Sequence, residues 1–414
     1  MPQHLIGPFT QIVTLEGLPL RGPLFDSQLV VIEWGGILID EQGKVVATGS
    51  FDELAKQVAG SGASITELSE ALVAIPGLVD AHTHLCFAGS RARDFAMRNA
   101  GSSYLEIARA GGGIWDSVTE TRLATPDELV ELTRLRLLLH LAGGVTTCEV
   151  KSGYGLSVEE ELKQLLAIKN ASEKVVVDVI PTCLAAHVLP RDFGGNHAAY
   201  LAYLQNELFP QLAGLTERID IFVEEEAFTP ELAKKYLLAA QKKGFKLTVH
   251  ADQFSSGGSE VAVVVGAQSA DHLEASGERE IALLAQSDTV AVALPGASLG
   301  LGCAFTPARK LLDAGAILAI ASDWNPGSAP MGDLLTQASI LATFEKMSNA
   351  EVLAGMTFRA AKALGKTNVG RLAKGYKADI VAYATNDYRE ITYQQGQLTP
   401  SKIWKNGQEY ELYD

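Results

Sequence analysis

Two histidines separated by one residue are the first candidates for chemistry in this sequence. His82 and His84 follow a short apolar run, Leu72 to Leu78. Residues two apart on a β-strand point to the same face, so the two imidazole rings would aim at one point. Such a pair suits a divalent metal ion. The same spacing also fits a strand that carries two histidines by chance, so further ligands have to come from the rest of the chain.

Other polar residues fall where further strands are predicted to end. They are Glu149, Lys151, His187, His250, His272 and Asp323. Polar groups at the ends of buried strands carry a desolvation cost that usually has a functional explanation. The remaining histidines lie in a terminal segment or in predicted helices, and we interpret these three as structural or exposed: His4, His140 and His197.

Four of these residues form a plausible ligand set for one metal ion: His82, His84, His250 and Asp323. Three imidazoles and one carboxylate suit zinc or ferrous iron, with a coordination position left open for water. Each histidine taken alone is better explained as a satisfied core residue. The four together favour a divalent metal site with one metal per chain.

A repeated strand–loop–helix pattern must position these residues. Capping boxes at Thr125 to Glu128 and Ser157 to Glu160 begin two of the helices. From Pro76 onward about eight short strands, apolar on both faces, alternate with helices over roughly 270 residues. This predicts an α/β fold with a (β/α)₈ barrel, whose chemistry sits at the C-terminal ends of the strands. A doubly wound sheet is disfavoured because no Gly-x-Gly-x-x-Gly follows the first strand.

Both ends of the chain have strand and turn character. Short strands are predicted before residue 72, with turns at Gly35-Gly36 and at Glu41-Gln42-Gly43, and again in 374–384 and 401–412. We therefore predict a small β-sandwich domain built from residues 1–72 and 374–414. The barrel would be inserted between them as residues 73–373.

Composition narrows the classes of partner. The 414 residues are 47% hydrophobic and carry a formal net charge of -15, which argues against a nucleic-acid or anionic-membrane surface. The four cysteines are scattered without a Cys-x-x-Cys, and neither a signal peptide nor a membrane span is apparent. We expect a cytoplasmic protein with a small-molecule substrate. A homodimer is compatible with the sequence, which does not indicate the oligomeric state.

Several longer motifs occur in order between about residue 76 and residue 330. They are HTHLCFAGSRARDF, AGGGIWDSVTETR, EVKSGYGL, AAHVLP, HADQFSSGG, GAQSADHLE and SDWNPGSAP, and KGYKADIVAY extends the pattern toward the C-terminus. Together they resemble the amidohydrolase superfamily. Within it they are similar to a branch that opens a cyclic amide, the ring of an imidazolone that carries a propionate chain.

The resemblance implies roles for individual residues. His82, His84, His250 and Asp323 would hold the metal, which activates a water for attack on the ring carbonyl. Asp323 would also carry the proton, and His272 would polarise the carbonyl. Arg91 would hold the propionate carboxylate. Other residues of the substrate pocket would be Tyr104, Tyr154, His187 and Asn325.

Gln253 and Lys151 stand at positions where members of the superfamily differ. Gln253 stands where some relatives carry a glutamate, and an amide cannot exchange a proton near neutral pH, so we assign Gln253 to hydrogen bonding with substrate or water. Lys151 could be mistaken for the carbamylated lysine of two-metal members, and we interpret it as a structural charge partner.

Three alternative functions remain open at this stage. An aminohydrolase (deaminase) of this fold generally needs a carboxyl group at the position of Gln253, which counts against it. Another cyclic amidase acting on a related lactam is the second alternative. The third is a barrel without catalysis, which usually has lost metal ligands, whereas here the ligand set is complete.

Overall fold

Two eight-stranded sheets organise the chain in the computed structural model, which describes residues 3–411 apart from the side chains of residues 104, 105 and 108. The first sheet is a barrel of parallel strands whose neighbours follow one another in sequence order. Its strands are β6 (Leu78–Asp80), β7 (Val145–Lys151), β8 (Asp178–Ala186), β9 (Arg218–Ile221), β10 (Lys246–Ala251), β11 (Ser269–His272), β12 (Val290–Ala293) and β13 (Leu318–Ile320).

The barrel closes just beyond the ends of its first and last strands. The backbone N–H of Asp323 donates to the carbonyl of His82 at 3.0 Å, and the N–H of His84 donates to the carbonyl of Trp324 at 2.9 Å. Below them, the N–H of Ser322 donates to the Asp80 side chain at 3.1 Å. Closure therefore joins the His-x-His segment directly to the segment that carries Asp323.

Helices surround the barrel and fill the connections between strands. They are α1 (Phe51–Val58), α2 (Ala92–Asn99), α3 (Tyr104–Arg109), α4 (Ile114–Leu123), α5 (Pro126–Ala142), α6 (Val158–Ser172), α7 (His197–Tyr203), α8 (Pro230–Lys242), α9 (Gly258–Val265), α10 (Glu278–Ala285), α11 (Pro295–Leu301), α12 (Ala308–Asp313), α13 (Leu334–Glu345), α14 (Asn349–Gly355), α15 (Phe358–Ala363) and α16 (Arg389–Tyr393). The capping box at Thr125 is present, and the Ser157 side chain caps α6. Among residues 3–411, no helix is both long and apolar enough to cross a bilayer.

The second sheet is assembled from both ends of the chain. Its strands are β1 (His4–Val13), β2 (Val31–Ile39), β3 (Val45–Ser50), β4 (Ser64–Glu67), β5 (Val73–Pro76), β14 (Ile380–Tyr383), β15 (Lys402–Lys405) and β16 (Gln408–Tyr410). They form one hydrogen-bonded path in the order β16-β15-β14-β5-β1-β2-β3, with β4 also paired to β1. The α/β fold class, a barrel with a separate sheet from the termini, is thus confirmed. The domain boundaries stay a prediction.

The apolar run from Leu72 to Leu78 divides between the two sheets. Residues 73–76 pair with β1 and β14, whereas β6 begins at Leu78 and pairs with β7. Gly77 lies at the crossing point, where a Cβ atom would stand 2.3 Å from the Thr146 hydroxyl. The chain passes between the sheets at this position because glycine leaves room for the threonine.

The turn predicted at Gly35-Gly36 is wrong, because β2 runs straight through both glycines. A Cβ on Gly35 would stand 2.6 Å from the Ile12 side chain, and one on Gly36 would stand 3.0 Å from the Leu5 side chain. These glycines therefore serve close packing between sheet residues rather than chain reversal. Helix α1 was also not predicted.

We predict that Gly77→Ala lowers the thermal denaturation midpoint clearly, because the new methyl group must displace the buried Thr146 side chain. Overpacking of this kind typically costs about 1–3 kcal/mol. Gly49→Ala is the matched control, since its Cβ would meet nothing nearer than Leu54 at 4.0 Å. Equal midpoints for the two variants would contradict the proposed role of Gly77 at the crossing.

Candidate metal and substrate site

Four side chains converge at the C-terminal mouth of the barrel. The Nε2 atom of His84 lies 3.3 Å from the Nε2 atoms of both His82 and His250. Asp323 Oδ1 lies 3.5 Å from His82 Nε2 and 3.3 Å from His84 Nε2. All four residues are at least 97% buried. Strands β6, β10 and β13 each contribute at their ends, as the barrel prediction requires.

These spacings suit one divalent metal ion. Ligand atoms bound at about 2.0–2.2 Å around a tetrahedral zinc stand about 3.3–3.6 Å apart. Asp323 Oδ1 is buried and makes no hydrogen bond within the described residues. A buried carboxylate oxygen that faces imidazole nitrogens without a hydrogen bond is what a metal ligand requires. The residues present therefore fit a mononuclear site.

The outer nitrogens of two of these histidines contact carboxylates. His82 Nδ1 lies 2.7 Å from Asp271 Oδ2, and His250 Nδ1 lies 2.9 Å from Asp220 Oδ2. A carboxylate partner holds the proton on Nδ1 and leaves the Nε2 lone pair free for a metal. Sequence reasoning missed Asp220 and Asp271, although both lie in predicted strands where an aspartate is unexpected.

The pKa values of the four candidate metal ligands are shifted in different directions. Burial and the charge of Lys151 act to lower the pKa of His82, but Asp271 and Asp323 raise it to about 9. Burial lowers the pKa of His84 to about 3 and holds that of His250 well below its usual value. Burial alone would raise the pKa of Asp323, but the neighbouring His82 and His84 hold it well below the usual range. At neutral pH the metal-free cluster therefore holds one displaceable proton, on His82.

Backbone strain concentrates at the same place. His272 has a φ of 90°, Asp323 of 50° and Asp252 of 53°, all in the left-handed region that non-glycine residues rarely adopt. Asp252 accepts hydrogen bonds from Ser276 Oγ at 2.7 Å and from Ser259 N at 3.1 Å, which fix its loop. Such strain persists only where surrounding contacts enforce it, and it clusters at functional sites.

A pocket of about 240 Å³ opens above these ligands, a volume suited to a small molecule. The structure brings most of the residues predicted for the site to its wall. They are His84, Arg91, Tyr154, His187, His250, Gln253, His272, Asp323 and Asn325. His82 lies deeper, beneath the other ligands. The Tyr104 side chain falls outside the described part of the chain, so its role stays a prediction.

Two aromatic residues form one wall of the pocket. The ring of His187 stacks on that of His84 at 5.6 Å between centroids, and Tyr154 lies 5.8 Å from His187. His187 Nδ1 lies 3.0 Å from the carbonyl of Gly153, an acceptor, so Nδ1 carries the proton and Nε2 is an acceptor. Burial lowers the pKa of His187 to about 4 and raises that of Tyr154 far above its usual value. Both side chains are therefore neutral at pH 7.

Two arginines, Arg91 at the N-cap of α2 and Arg98 within α2, also line the pocket. Arg91 Nε donates to Asp94 Oδ2 at 2.5 Å, and Arg98 Nη2 donates to the Gly327 carbonyl at 3.4 Å. Arg93 points elsewhere and donates to the Ala110 carbonyl at 2.8 Å. The family resemblance implies a carboxylate-binding role for Arg91 alone. The spacing of seven between Arg91 and Arg98 places both on one helix face and could have identified the pair.

The Asp94 carboxylate is enclosed by the glycine-rich loop that precedes α4. Its Oδ2 atom accepts the N–H of Gly113 at 2.8 Å, and a Cβ on Gly112 would stand 2.2 Å from its Oδ1. The loop at Gly111 to Gly113 thus holds Asp94 against Arg91.

Two further loops carry Asn325 and Gln253. Asn325 Nδ2 donates to Asp323 Oδ2 at 2.9 Å, and its Oδ1 accepts the N–H of Ser328 at 2.8 Å. The loop after Gln253 is held by Glu224, whose Oε2 accepts the N–H of Phe254 at 3.0 Å. Asn325 therefore orients Asp323 whatever else it contacts.

The three histidines that we interpret as structural or exposed lie apart from the pocket. His140 Nε2 lies 3.1 Å from Asp80, His4 contacts Thr66 at 2.9 Å, and His197 packs against an aromatic ring. None of these three histidines lines the pocket, in agreement with their interpretation as structural or exposed.

Comparison with known proteins places this site in a family. The model of the family described as "Amidohydrolase family" matches residues 73–410. The chain belongs to the amidohydrolase family. It is 38% identical over 403 residues to the imidazolonepropionase of Symbiobacterium thermophilum, covering 96% of this chain and 94% of that protein. It is 45% identical over 336 residues to that of Rubrobacter xylanophilus, covering 81% of each. The chain thus falls among the imidazolonepropionases of that family.

A solved structure supports the fold independently. The zinc complex of atrazine chlorohydrolase from Arthrobacter aurescens superposes with a TM-score of 0.70 at 21% identity, covering 98% of this chain and 94% of that one. At this identity the likeness concerns the fold. The family and the histidine cluster together support a divalent metal.

We predict that zinc binding to the metal-free protein strengthens as the pH rises. His82 must lose its proton to become a ligand, so the association constant should rise about tenfold per pH unit below the pKa of about 9 and level off above it. Competition with a chromophoric chelator, calibrated at each pH, measures this. An association constant independent of pH between 6.5 and 8.5 would contradict the assignment of that proton.

Proposed function

We propose that this chain is an imidazolonepropionase, which hydrolyses a ring C–N bond of 4-imidazolone-5-propanoate to give N-formimino-L-glutamate. The named relatives support this substrate. The observation that carries the proposal is a single pocket that is lined both by metal-ligand residues and by two arginines. That arrangement suits a small molecule with a reactive carbonyl and a carboxylate tail.

The reaction adds one water across the ring amide. A divalent metal held by His82, His84, His250 and Asp323 would supply a water acidified to near neutral pH. Asp323, ionised at neutral pH, would accept the proton of the attacking water while the new C–O bond forms. The C–N bond then breaks, and Asp323 returns that proton to the leaving ring nitrogen. Asn325 holds the carboxylate for both transfers through its bond to Oδ2.

Other pocket residues would orient the substrate and stabilise developing charge. His272, held through its carbonyl by the Thr306 hydroxyl at 2.5 Å, is proposed to polarise the ring carbonyl. The neutral Tyr154 phenol can donate a hydrogen bond, and the unprotonated Nε2 of His187 can accept one. Gln253 can do either, but it cannot carry a proton.

The two arginines that line the pocket favour a substrate with an anionic tail. Asp94 pairs with Arg91, whereas Arg98 has no carboxylate partner among the described ion pairs, and its buried Nε makes no hydrogen bond there. Burial and the charge of Arg91 lower the pKa of Arg98. A substrate carboxylate would supply the missing negative charge, with the guanidinium of Arg91 offering a planar fork. We therefore infer that Arg91 and Arg98 act together on the propionate.

Several finer assignments belong to the same proposal. We propose one zinc or iron ion per chain, bound by the cluster described above. We also propose a cytoplasmic enzyme, since its four cysteines are free and three of them are buried. A homodimer stays a prediction.

The test of the substrate is a hydrolysis assay with freshly prepared imidazolone propionate. We predict that Arg91→Met and Arg98→Met each raise KM and lower kcat/KM by about tenfold to a hundredfold, because a hydrogen bond to a charged group contributes about 1.5–3 kcal/mol. Arg91→Lys should rescue only partly, since it keeps the charge but not the fork.

Arg93→Met is the matched control, because Arg93 lies in the same segment but points away from the pocket. All variants should also be assayed on an imidazolone that lacks the carboxylate, where the two pocket arginines should matter little. An equal loss of kcat/KM on both substrates would show that Arg91 and Arg98 do not bind the carboxylate. A wild-type protein without activity on either substrate would refute the proposed function.

We predict that Asp323→Asn keeps part of the metal yet loses about 10²–10⁴-fold in kcat, the range typical of general acid–base groups. The amide retains a ligand oxygen but cannot accept the proton. Metal content by elemental analysis must accompany the rate. Near-normal turnover with metal bound would assign the proton transfer to another residue.

A further inference from the structure

A layer of buried charge fills the barrel beneath the metal ligands. The Lys151 ammonium lies 2.7 Å from Glu149 Oε2, 2.8 Å from Asp220 Oδ2 and 3.8 Å from Asp271 Oδ2. All four side chains are completely inaccessible to solvent. A buried ammonium with three carboxylate neighbours is costly to assemble, and the hydrolysis described above makes no direct use of it.

Two of these carboxylates also hold the candidate metal ligands. The same Asp220 oxygen that faces Lys151 lies 2.9 Å from His250 Nδ1. The same Asp271 oxygen lies 2.7 Å from His82 Nδ1 and accepts the Thr248 hydroxyl at 3.1 Å. One lysine therefore stands behind two histidine–carboxylate pairs that come from different strands.

We propose that Lys151 is a positioning residue that fixes the orientation of both His82 and His250 through Asp271 and Asp220. Two ionised carboxylates so close together repel each other, and the ammonium between them holds both in place. Each carboxylate then keeps the Nδ1 proton of its histidine and aims the Nε2 lone pair at the metal position. The inference rests on the proposed metal site.

The charges of the layer agree with this role. Lys151 and Arg218 oppose Glu149, Asp220 and Asp271, with Arg218 Nε 3.5 Å from Glu149 Oε1, which leaves one negative charge in excess. Asp323 adds a second. A divalent cation at the ligand cluster would balance both, so the layer is matched to the charge of the ion above it.

Backbone contacts tie the lysine to the metal-binding segment as well. The Lys151 N–H donates to the Thr83 carbonyl at 2.9 Å, and the Thr83 hydroxyl donates to the Glu149 carbonyl at 2.6 Å. Thr83 lies between the two histidines of the His-x-His motif. The end of β7 therefore supports the ligands through its backbone and through the Lys151 side chain at the same time.

The test measures zinc affinity of the full-length protein by chelator competition at one pH, without substrate. Lys151→Met keeps most of the length of the side chain and removes its charge, and we expect zinc affinity to fall about 10- to 100-fold, the usual effect of changing groups behind metal ligands. Zinc-loaded, ¹⁵N-histidine-labelled protein should show protected Nδ1–H signals of His82 and His250 in the wild type, and these two signals should shift or broaden in the variant.

Because Lys151→Met leaves buried carboxylates uncompensated, a milder pair of variants keeps the inference testable if that variant fails to fold. Thr248→Val removes the hydroxyl that bonds to Asp271 and also contacts Ser269, and it should weaken zinc binding about two- to tenfold, the range of one typical hydrogen bond. Thr289→Val is the control, since that buried hydroxyl donates to the Ala267 carbonyl, outside the charged layer. Its zinc affinity should equal that of the wild type.

The possible results separate this inference from the proposed function. Unchanged zinc affinity in a folded Lys151→Met, or equal losses in Thr248→Val and Thr289→Val, would overturn the role of Lys151 while the proposed hydrolysis stands. A wild type that binds no zinc or iron would overturn both. Loss of affinity in Lys151→Met and Thr248→Val, with normal binding in Thr289→Val, would support the inference.

Discussion

The closure of the barrel is the constraint on which the site depends. Hydrogen bonds between the segments of His82 to His84 and Asp323 to Trp324 join the first strand end to the last. These segments are separated by about 240 residues of sequence, yet they supply three of the four candidate metal ligands. The polar cluster therefore exists only when all eight strands are in register, so the ligand geometry reports on the integrity of the whole barrel.

The interior of the barrel places charge where most folds place apolar side chains. Lys151, Asp220 and Asp271 are fully buried, and each has a partner of opposite charge. Ionised groups in such surroundings are tolerated only when they are paired and hydrogen-bonded. The layer stabilises the fold little compared with a well-packed apolar core, and its value lies in orienting the histidines above it.

The pocket combines two electrostatic tasks. Its wall includes imidazoles and a carboxylate, which attract a cation, and it also includes Arg91 and Arg98, which attract an anion. The arginines would thus hold a substrate by its carboxylate tail, and its ring would face the metal ligands. Tyr154 and His187, both uncharged at neutral pH, line the same pocket.

Local patterns in the sequence determined much of this protein. The repeated strand–helix rhythm predicts the barrel because burial on both strand faces leaves visible apolar runs, and several histidines and carboxylates follow these runs at the strand ends. For this reason the strand ends alone indicated six candidates: His82, His84, His187, His250, His272 and Asp323. The other site residues were implied only by the family resemblance: Arg91, Tyr104, Tyr154, Gln253 and Asn325. Their proposed roles remain to be tested.

Only the tertiary structure decided what depends on contacts between distant segments. The glycines at 35 and 36 looked like a turn, but the Ile12 and Leu5 side chains opposite them need the space. The apolar run around Gly77 looked like one strand, but it pairs with two different sheets. Lys151 looked like a simple charge partner, and its position behind His82 and His250 emerges only when strands β7, β9, β10 and β11 lie side by side. The spacing of residues along a strand determines which face of the strand each one occupies. The partners of a residue on other strands depend on the strand register, and the spacing along a single strand does not determine that register.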